Sequence, residues 1–404
     1  MSHPPFAHLE WQENGALCSA PWHSESGALA PKRVQLADDT LSADTAYRLA
    51  CEGTGLLWRG DFQNARLLLQ ALARRVDNTH SKPKARHKQP KTPPTPKEAF
   101  NLHRQAQSQR ARVLAMVLIE LDANYAMALR RAPDWGPACF EAYGENHSAA
   151  PRVVTLRELL GIVGAHEWRK NGVPIPELGN ATVHPYYGVF SPLRGEYLNL
   201  IANAPLPKAL LQLGLSPADK ARAQVFDIGT GTGVIAAVLA RRGVANIVAT
   251  DLDPKALDCA TTNLAHLGCA AQVRVVQADL FPPLATYGQA QLIVCNPPWL
   301  PARPNSPIER AVYDEGSAML RGFLQGLAVH LAPGGEGWLI LSDLAEHLGL
   351  RTRDELHSWV AAAGLKILGK RDIAPTHAKA QDTADALHFA RSKELTSLWR
   401  LGVV

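Results

Sequence analysis

From about residue 205 onward the chain alternates short apolar runs with stretches of helical period, and that alternation restricts it to a parallel sheet covered by helices. The runs are "AQVFDI" (223–228), "ANIVAT" (245–250), "AQVRVVQ" (271–277), "AQLIVC" (290–295), "GWLILS" (337–342), "LKILGKR" (365–371) and "LTSLWRL" (395–401). They predict an α/β, Rossmann-like fold: a seven-stranded, mostly parallel sheet with helices on both faces. The last two strands are expected to be antiparallel, because the segment between them holds a Pro and no strong amphipathic helix.

At 404 residues the chain exceeds the size at which single cores usually stop growing, so a further domain is expected before the sheet. The sequence predicts a mainly helical N-terminal module over 1–150, a connecting helix and hairpin over 151–204, and the sheet-bearing domain over 205–404. Asp61 is placed to cap a helix over about 61–76, with Ala65, Leu68, Leu69 and Leu72 on one face. The segment "EAFNLHRQAQSQRARVLAMVLIELDANYAMALRR" reads as helix, polar first and apolar from Val113, and Thr155 with Glu158 spells a capping box before "LLGIVGAHEW". "GVPIPELGNATVHPYYGVFSP" predicts a small hairpin or irregular bridge. Residues 1–50 show weak periodicity and predict nothing specific.

Formal charge is +5, and it is local: Lys82, Lys84, Arg86, Lys88, Lys91 and Lys97 lie in a stretch without an acid, which leaves the rest of the chain slightly acidic. Five prolines interrupt Ser81 to Lys97, a composition that buries too little apolar surface to offset its ordering entropy. A mobile basic loop over about 80–97 is expected, either an arm that contacts phosphates or a solvated linker. Six scattered cysteines form no CxxC or Cys/His cluster, so reduced thiols and no metal site are expected. Glu10 and Glu13 precede the first Lys, Lys32, the wrong charge order for a secretory leader, and no run of ~18 apolar residues suggests a membrane span. A cytoplasmic monomer is the expectation.

"VFDIGTGTGVIAAVLA" joins the first run of the sheet to a helix through Gly229, Thr230, Gly231 and Gly233. Glycines there let a backbone pass tightly beneath a ligand. The spacing is G-x-G-x-G, with Val234 where a dinucleotide site wants its third glycine, and Asp227 stands two residues before the first glycine; both features point away from NAD. Asp251 ends the second run, where an acid accepts ribose hydroxyls and repels a phosphate. Asp253 is expected to cap the next helix, with Pro254 at its first position. Asp279 closes the third run, placed to accept from an exocyclic adenine amine.

Asp227 to Gly233, Asp251, Asp279 and the stretch Asn296-Pro297-Pro298-Trp299 together resemble a class I S-adenosylmethionine-dependent methyltransferase of the group with an N/D-P-P-aromatic motif. The resemblance covers roughly 185–404. It implies S-adenosyl-L-methionine as cofactor, with the glycine loop near its methionine part, Asp227 reaching its ammonium through a water or nearby amides, and Asp251 and Asp279 holding ribose and adenine. It also implies cofactor contacts from Phe190, Thr230, Leu252, Leu280 and Asn296. "GVFSPLRGEYLNLI", with Pro192, Arg194 and Glu196, is similar to the pre-sheet motif of the glutamine N5-methyltransferases that modify release factors, which usually have Tyr where this chain has Trp299. Methyltransferases of ribosomal RNA guanine N2 share the "GVF" element and often carry an additional N-terminal domain.

Amide and aryl amine nitrogens are poor nucleophiles because their lone pairs are delocalised. A side-chain carbonyl from Asn296 and a backbone carbonyl from Pro297 can accept both amine hydrogens and favour a pyramidal nitrogen. Pro297 and Pro298 stiffen the turn, and Trp299 is placed to stack on a planar acceptor, worth about 1–3 kcal/mol for a nucleobase. The expected activity is N-methylation of a planar nitrogen on a macromolecule of the translation apparatus, with an RNA base favoured because the basic stretch suits RNA. Protein glutamine is the first alternative, and a non-catalytic RNA- or ribosome-binding protein with a vestigial fold the second.

Overall fold

The computed structural model describes residues 7–81, 93–146, 150–193, 195–212, 224–304, 307–375, 382–383 and 385–404. They fall into two compact units, one built from the chain up to 167 and the other from 168 onward, with 94–100 grouped with the second and 307 with the first. The division lies inside the segment expected to connect the domains.

The first unit is helical and also contains strands. A hairpin pairs β1 (His8–Glu13) with β2 (Ala16–Pro21). A four-stranded sheet runs in the order β3 (Arg33–Ala37), β4 (Thr54–Trp58), β5 (Val117–Leu121) and β6 (Arg152–Thr155), the first three parallel and the last antiparallel. The helix Pro96–Leu114 stops and the apolar text that follows enters β5. The reason is burial on both faces: Val117, Leu118, Ile119 and Leu121 are fully buried, and a β-branched run covered on both sides suits a central strand.

Asp61 caps the helix Phe62–Ser81, its Oδ1 accepting from the Gln63 N–H at 2.9 Å. Arg131, with Arg130, donates to its other oxygen and holds the carboxyl down at about 2. Only half of the expected capping box forms at Thr155, whose hydroxyl accepts from the Glu158 N–H at 2.9 Å. The Glu158 carboxylate instead accepts from Ser24, Ser26 and Tyr143.

In the second unit, β7 (Val173–Ile175) and β8 (Ala181–Val183) make the expected small hairpin. The seven-stranded sheet follows, with strands β9 (Val225–Ile228), β10 (Ile247–Asp251), β11 (Val273–Gln277), β12 (Ala290–Cys295), β13 (Leu331–Ser342), β14 (Leu365–Ile373) and β15 (Thr396–Val403). Their spatial order is 11-10-9-12-13-15-14, parallel except that β15 runs antiparallel to both neighbours. All seven predicted runs are strands of this sheet.

Side chains alternate between two apolar layers. Val225, Leu292, Val294, Trp338 and Ile340 face one, with the helices Val234–Arg241 and Glu196–Asn203. Phe226, Ile228, Ile293, Cys295, Leu339 and Leu341 face the other, with the helices Ala318–His330 and Arg353–Ala362. Each such Val, Leu or Ile contributes about 1.5–3 kcal/mol by leaving water, so the register that keeps both layers apolar is strongly selected. Among the described residues no helix is long and apolar enough to cross a membrane.

Candidate functional site

The strand order places a crevice at the carboxyl ends of β9 and β12. From β9 the chain goes on to β10 on one side, while β12 pairs on the other, and open α/β sheets bind ligands where the order reverses in this way. Ile228 is in register with Cys295, so the glycine loop and Asn296 leave the sheet side by side. Asp251 ends β10 in register with Gln277 of β11, so Asp279 follows at the same edge.

Asp227 points into the apolar layer beneath the helix Val234–Arg241 and is fully buried. One oxygen, Oδ2, accepts from the Thr230 hydroxyl at 2.6 Å and the Ala236 N–H at 3.2 Å. The other, Oδ1, is buried with no partner. Burial pushes the carboxyl up to about 7, against the two hydrogen bonds, with the Asp251 charge adding to the rise. An orphaned acceptor in a fully buried acid is costly, and a cationic group beside it would remove that cost.

Gly229, Gly231 and Gly233 all have left-handed φ, of 69°, 54° and 80°. At Gly233 a Cβ would also lie 3.3 Å from the Ala260 backbone, so both conformation and packing demand glycine. At Gly231 a Cβ would meet nothing within 4 Å, so the loop there borders open space and its demand is conformational alone. The Gly231 N–H donates to Asp251 Oδ2 at 3.0 Å, and the Asp253 N–H donates to Oδ1 at 3.0 Å. Burial raises the Asp251 carboxyl, opposed by these hydrogen bonds. Asp253 caps the helix Pro254–His266, accepting from Lys255, with Pro254 at the first position.

Leu252 and Phe190 are exposed, at 62% and 38%, and Asp279 is exposed as well. Leu280 takes a left-handed φ of 66°, and its carbonyl accepts from Thr250 at 2.6 Å. Its side chain packs against the helix Ala318–His330, where a Cβ on Gly322 would lie 2.7 Å from it, so the backbone of Leu280 rather than its side chain is the part available at the edge.

Past β12, Pro297 is buried and Asn296, Pro298 and Trp299 are half-buried. Trp299 Nε1 donates to Asn296 Oδ1 at 2.9 Å, and the indole packs against both apolar layers. Tyr197 is 3% exposed on the helix Glu196–Asn203, and burial pushes its phenol well above its ordinary value, with the Asp227 charge adding to the rise.

Sequence reasoning missed Asp314, whose carboxylate accepts from the Met319 N–H at 3.0 Å and the Leu320 N–H at 3.3 Å at the start of the helix Ala318–His330. An acid ahead of Gly316 and Ser317 was the signal there. Residues 82–92 of the expected basic loop and Arg194 lie outside the described residues. Among the described residues no group of three or more His, Cys, Asp or Glu could hold a metal ion.

Residues 208–352 match the family model of the methyltransferase small domain. A release factor glutamine methyltransferase of Cereibacter sphaeroides is 36% identical over 125 residues, 28% of this chain and 44% of that protein. A ribosomal protein L11 methyltransferase of Pelotomaculum thermopropionicum is 33% identical over 150 residues, 34% of this chain and 42% of that protein. A second ribosomal protein L11 methyltransferase, of Geobacter metallireducens, is 28% identical over 184 residues, 44% of this chain and 57% of that protein. The chain thus spans less than half the length of the first two of these curated relatives.

Proposed function

We propose, starting from a chain whose residues 208–352 match the methyltransferase small domain, that it is an S-adenosylmethionine-dependent N-methyltransferase acting on a planar amine or amide nitrogen of a macromolecule of the translation apparatus. The observation that carries this reading is the orphaned Oδ1 of Asp227, fully buried behind a loop of left-handed glycines. That oxygen suits the ammonium of the cofactor's methionine part. Asp251 would accept the ribose hydroxyls through the lone pairs its two backbone donors leave free. Asp279 would take the adenine amine, with Phe190, Leu252 and the Leu280 backbone alongside. When bound, the cofactor supplies an electrophilic methyl group.

The chain's own side chains do the rest. Asn296 Oδ1 has a second lone pair beyond the one given to Trp299, and with the Pro297 carbonyl it would accept the acceptor's amine hydrogens and favour a pyramidal nitrogen. Pro297 and Pro298 hold the turn, and the half-buried Trp299 ring offers a flat surface to a planar group.

An RNA base is the favoured acceptor. Residues 66–112 hold twelve Lys or Arg and two acids, a concentration of charge suited to phosphates, and the segment from Lys82 to Lys97 is its densest part. A second reading, protein glutamine, is favoured by the likeness to the release factor glutamine methyltransferase of Cereibacter sphaeroides. Incubation with methyl-labelled cofactor and a lysate from cells lacking the protein separates the two. Label in RNA is the expected result, label in protein supports the second reading, and label in neither by protein that binds the cofactor overturns both.

A further inference from the structure

We infer that Arg351 is an anion-binding residue beside the acceptor, its guanidinium taking a phosphate of the RNA strand that carries the target base. The role rests on the proposed methyl transfer to RNA, and part of its test needs no transfer. Arg351 is 3% exposed. Its Nε is sealed from solvent without a partner, and among the described residues its side chain makes a single hydrogen bond, a long one of 3.5 Å from Nη2 to the Ser342 carbonyl. The acids whose charge reaches it are engaged elsewhere. Glu346 pairs with Arg353 at 2.9 Å, Glu355 accepts from the Thr352 N–H at 2.7 Å, and Asp314 accepts from the Met319 N–H at 3.0 Å. Burial, the largest influence, holds the guanidinium below its ordinary value. A buried cation without an ion pair weakens a fold, and a bound oxyanion that accepts from the planar N–H fork reverses that.

Strand geometry fixes where the group lies. The Asp343 N–H donates to the Leu395 carbonyl at 3.1 Å, so it faces the β15 side of β13. Within a trans peptide the Ser342 carbonyl points the opposite way, to the β12 side. There β12 has already left the sheet: Cys295 is in register with Leu339, and the turn Asn296–Trp299 begins beside Ile340. Arg351 donates to that carbonyl and therefore stands between the end of β13 and the turn proposed to hold the acceptor. A base drawn out of its stack onto Trp299 brings its own sugar and phosphate to the rim of this turn. Phosphate contacts set position while base contacts choose the target. Arg351 would supply the first kind and Asn296 with Trp299 the second.

The full-length protein, Arg351→Met and Arg351→Lys test this. In single-turnover transfer from saturating labelled cofactor, Arg351→Met should raise the half-saturating concentration of lysate RNA roughly 10–100-fold, as for a lost charged hydrogen bond. The limiting rate and cofactor affinity should change far less. Lys keeps the charge without the fork and should recover part of the loss. An unchanged half-saturating concentration, or a fall in the limiting rate alone, would overturn the role. Without any transfer, inorganic phosphate at fixed ionic strength should raise the thermal midpoint of the wild-type chain and not that of Arg351→Met. No rise in the wild type, an equal rise in both, or a rise with acetate but not with phosphate would overturn the phosphate site. Label entering protein instead of RNA would overturn it as well. Phosphate protection that depends on Arg351, in a protein that transfers no label, would sink the proposed function and leave the anion site standing.

Discussion

At the scale of single residues, Asp227 decides most. Its folded carboxyl sits at about 7 against an ordinary value of 3.8, so between about pH 4 and pH 7 the fold holds a proton that the unfolded chain has released. Stability from this group is therefore highest at low pH and falls as pH rises through that window. Thermal midpoints of the ligand-free protein should decline more steeply from pH 4.5 to 7.5 in the wild-type chain than in Asp227→Asn, and equal slopes would show that burial does not perturb the carboxyl. Asn296 and Asp251 should separate two kinds of loss. Asn296→Ala is expected to leave cofactor affinity within a few-fold and to cut transfer by about 10²–10³, as removal of a preorganised acceptor does. Asp251→Ala should weaken cofactor binding by about 1–3 kcal/mol with a smaller effect on the bound rate; calorimetry and single-turnover kinetics on the two variants check the split.

At the scale of elements, the glycine loop and the helix after β10 make the strand ends rigid. Gly233→Ala forces a side chain into a left-handed conformation and against Ala260, and it should lower stability by about 1–2 kcal/mol, measured by urea denaturation of ligand-free protein. Asp253→Ala removes the cap of Pro254–His266 and should cost about 0.5–2 kcal/mol in the same assay. These elements were legible in the sequence because strand, turn and cap each demand unusual residues: buried Val and Ile runs, glycines at positive φ, an Asp-Pro pair. β5 was not, because nothing between Val113 and Leu121 breaks a helix, and only burial on both faces turns "VLIEL" into a strand. In β1 the alternation that buries Leu9 and Trp11 is present but spans six residues, too short to stand out.

At the scale of the whole molecule, charge is segregated. Basic residues concentrate in 66–112 while the chain as a whole carries only +5. Replacing Lys82, Lys84, Arg86, Lys88 and Lys91 with Ser should weaken association with total RNA and flatten its dependence on salt, since each lost phosphate contact removes about one unit of slope. Cofactor affinity should be unchanged in that variant, and an unchanged salt slope would take the segment out of RNA binding. Whether the crevice beside β9 takes a cation decides whether this chain transfers a methyl group from a sulfonium donor. The most direct test is calorimetric titration of S-adenosylmethionine at pH 6 in two buffers of different ionisation heat. The predicted result is one site per chain, with proton release that disappears in Asp227→Asn. Folded protein that gives no binding heat, or binding with no proton release in the wild-type chain, would contradict a cation site there.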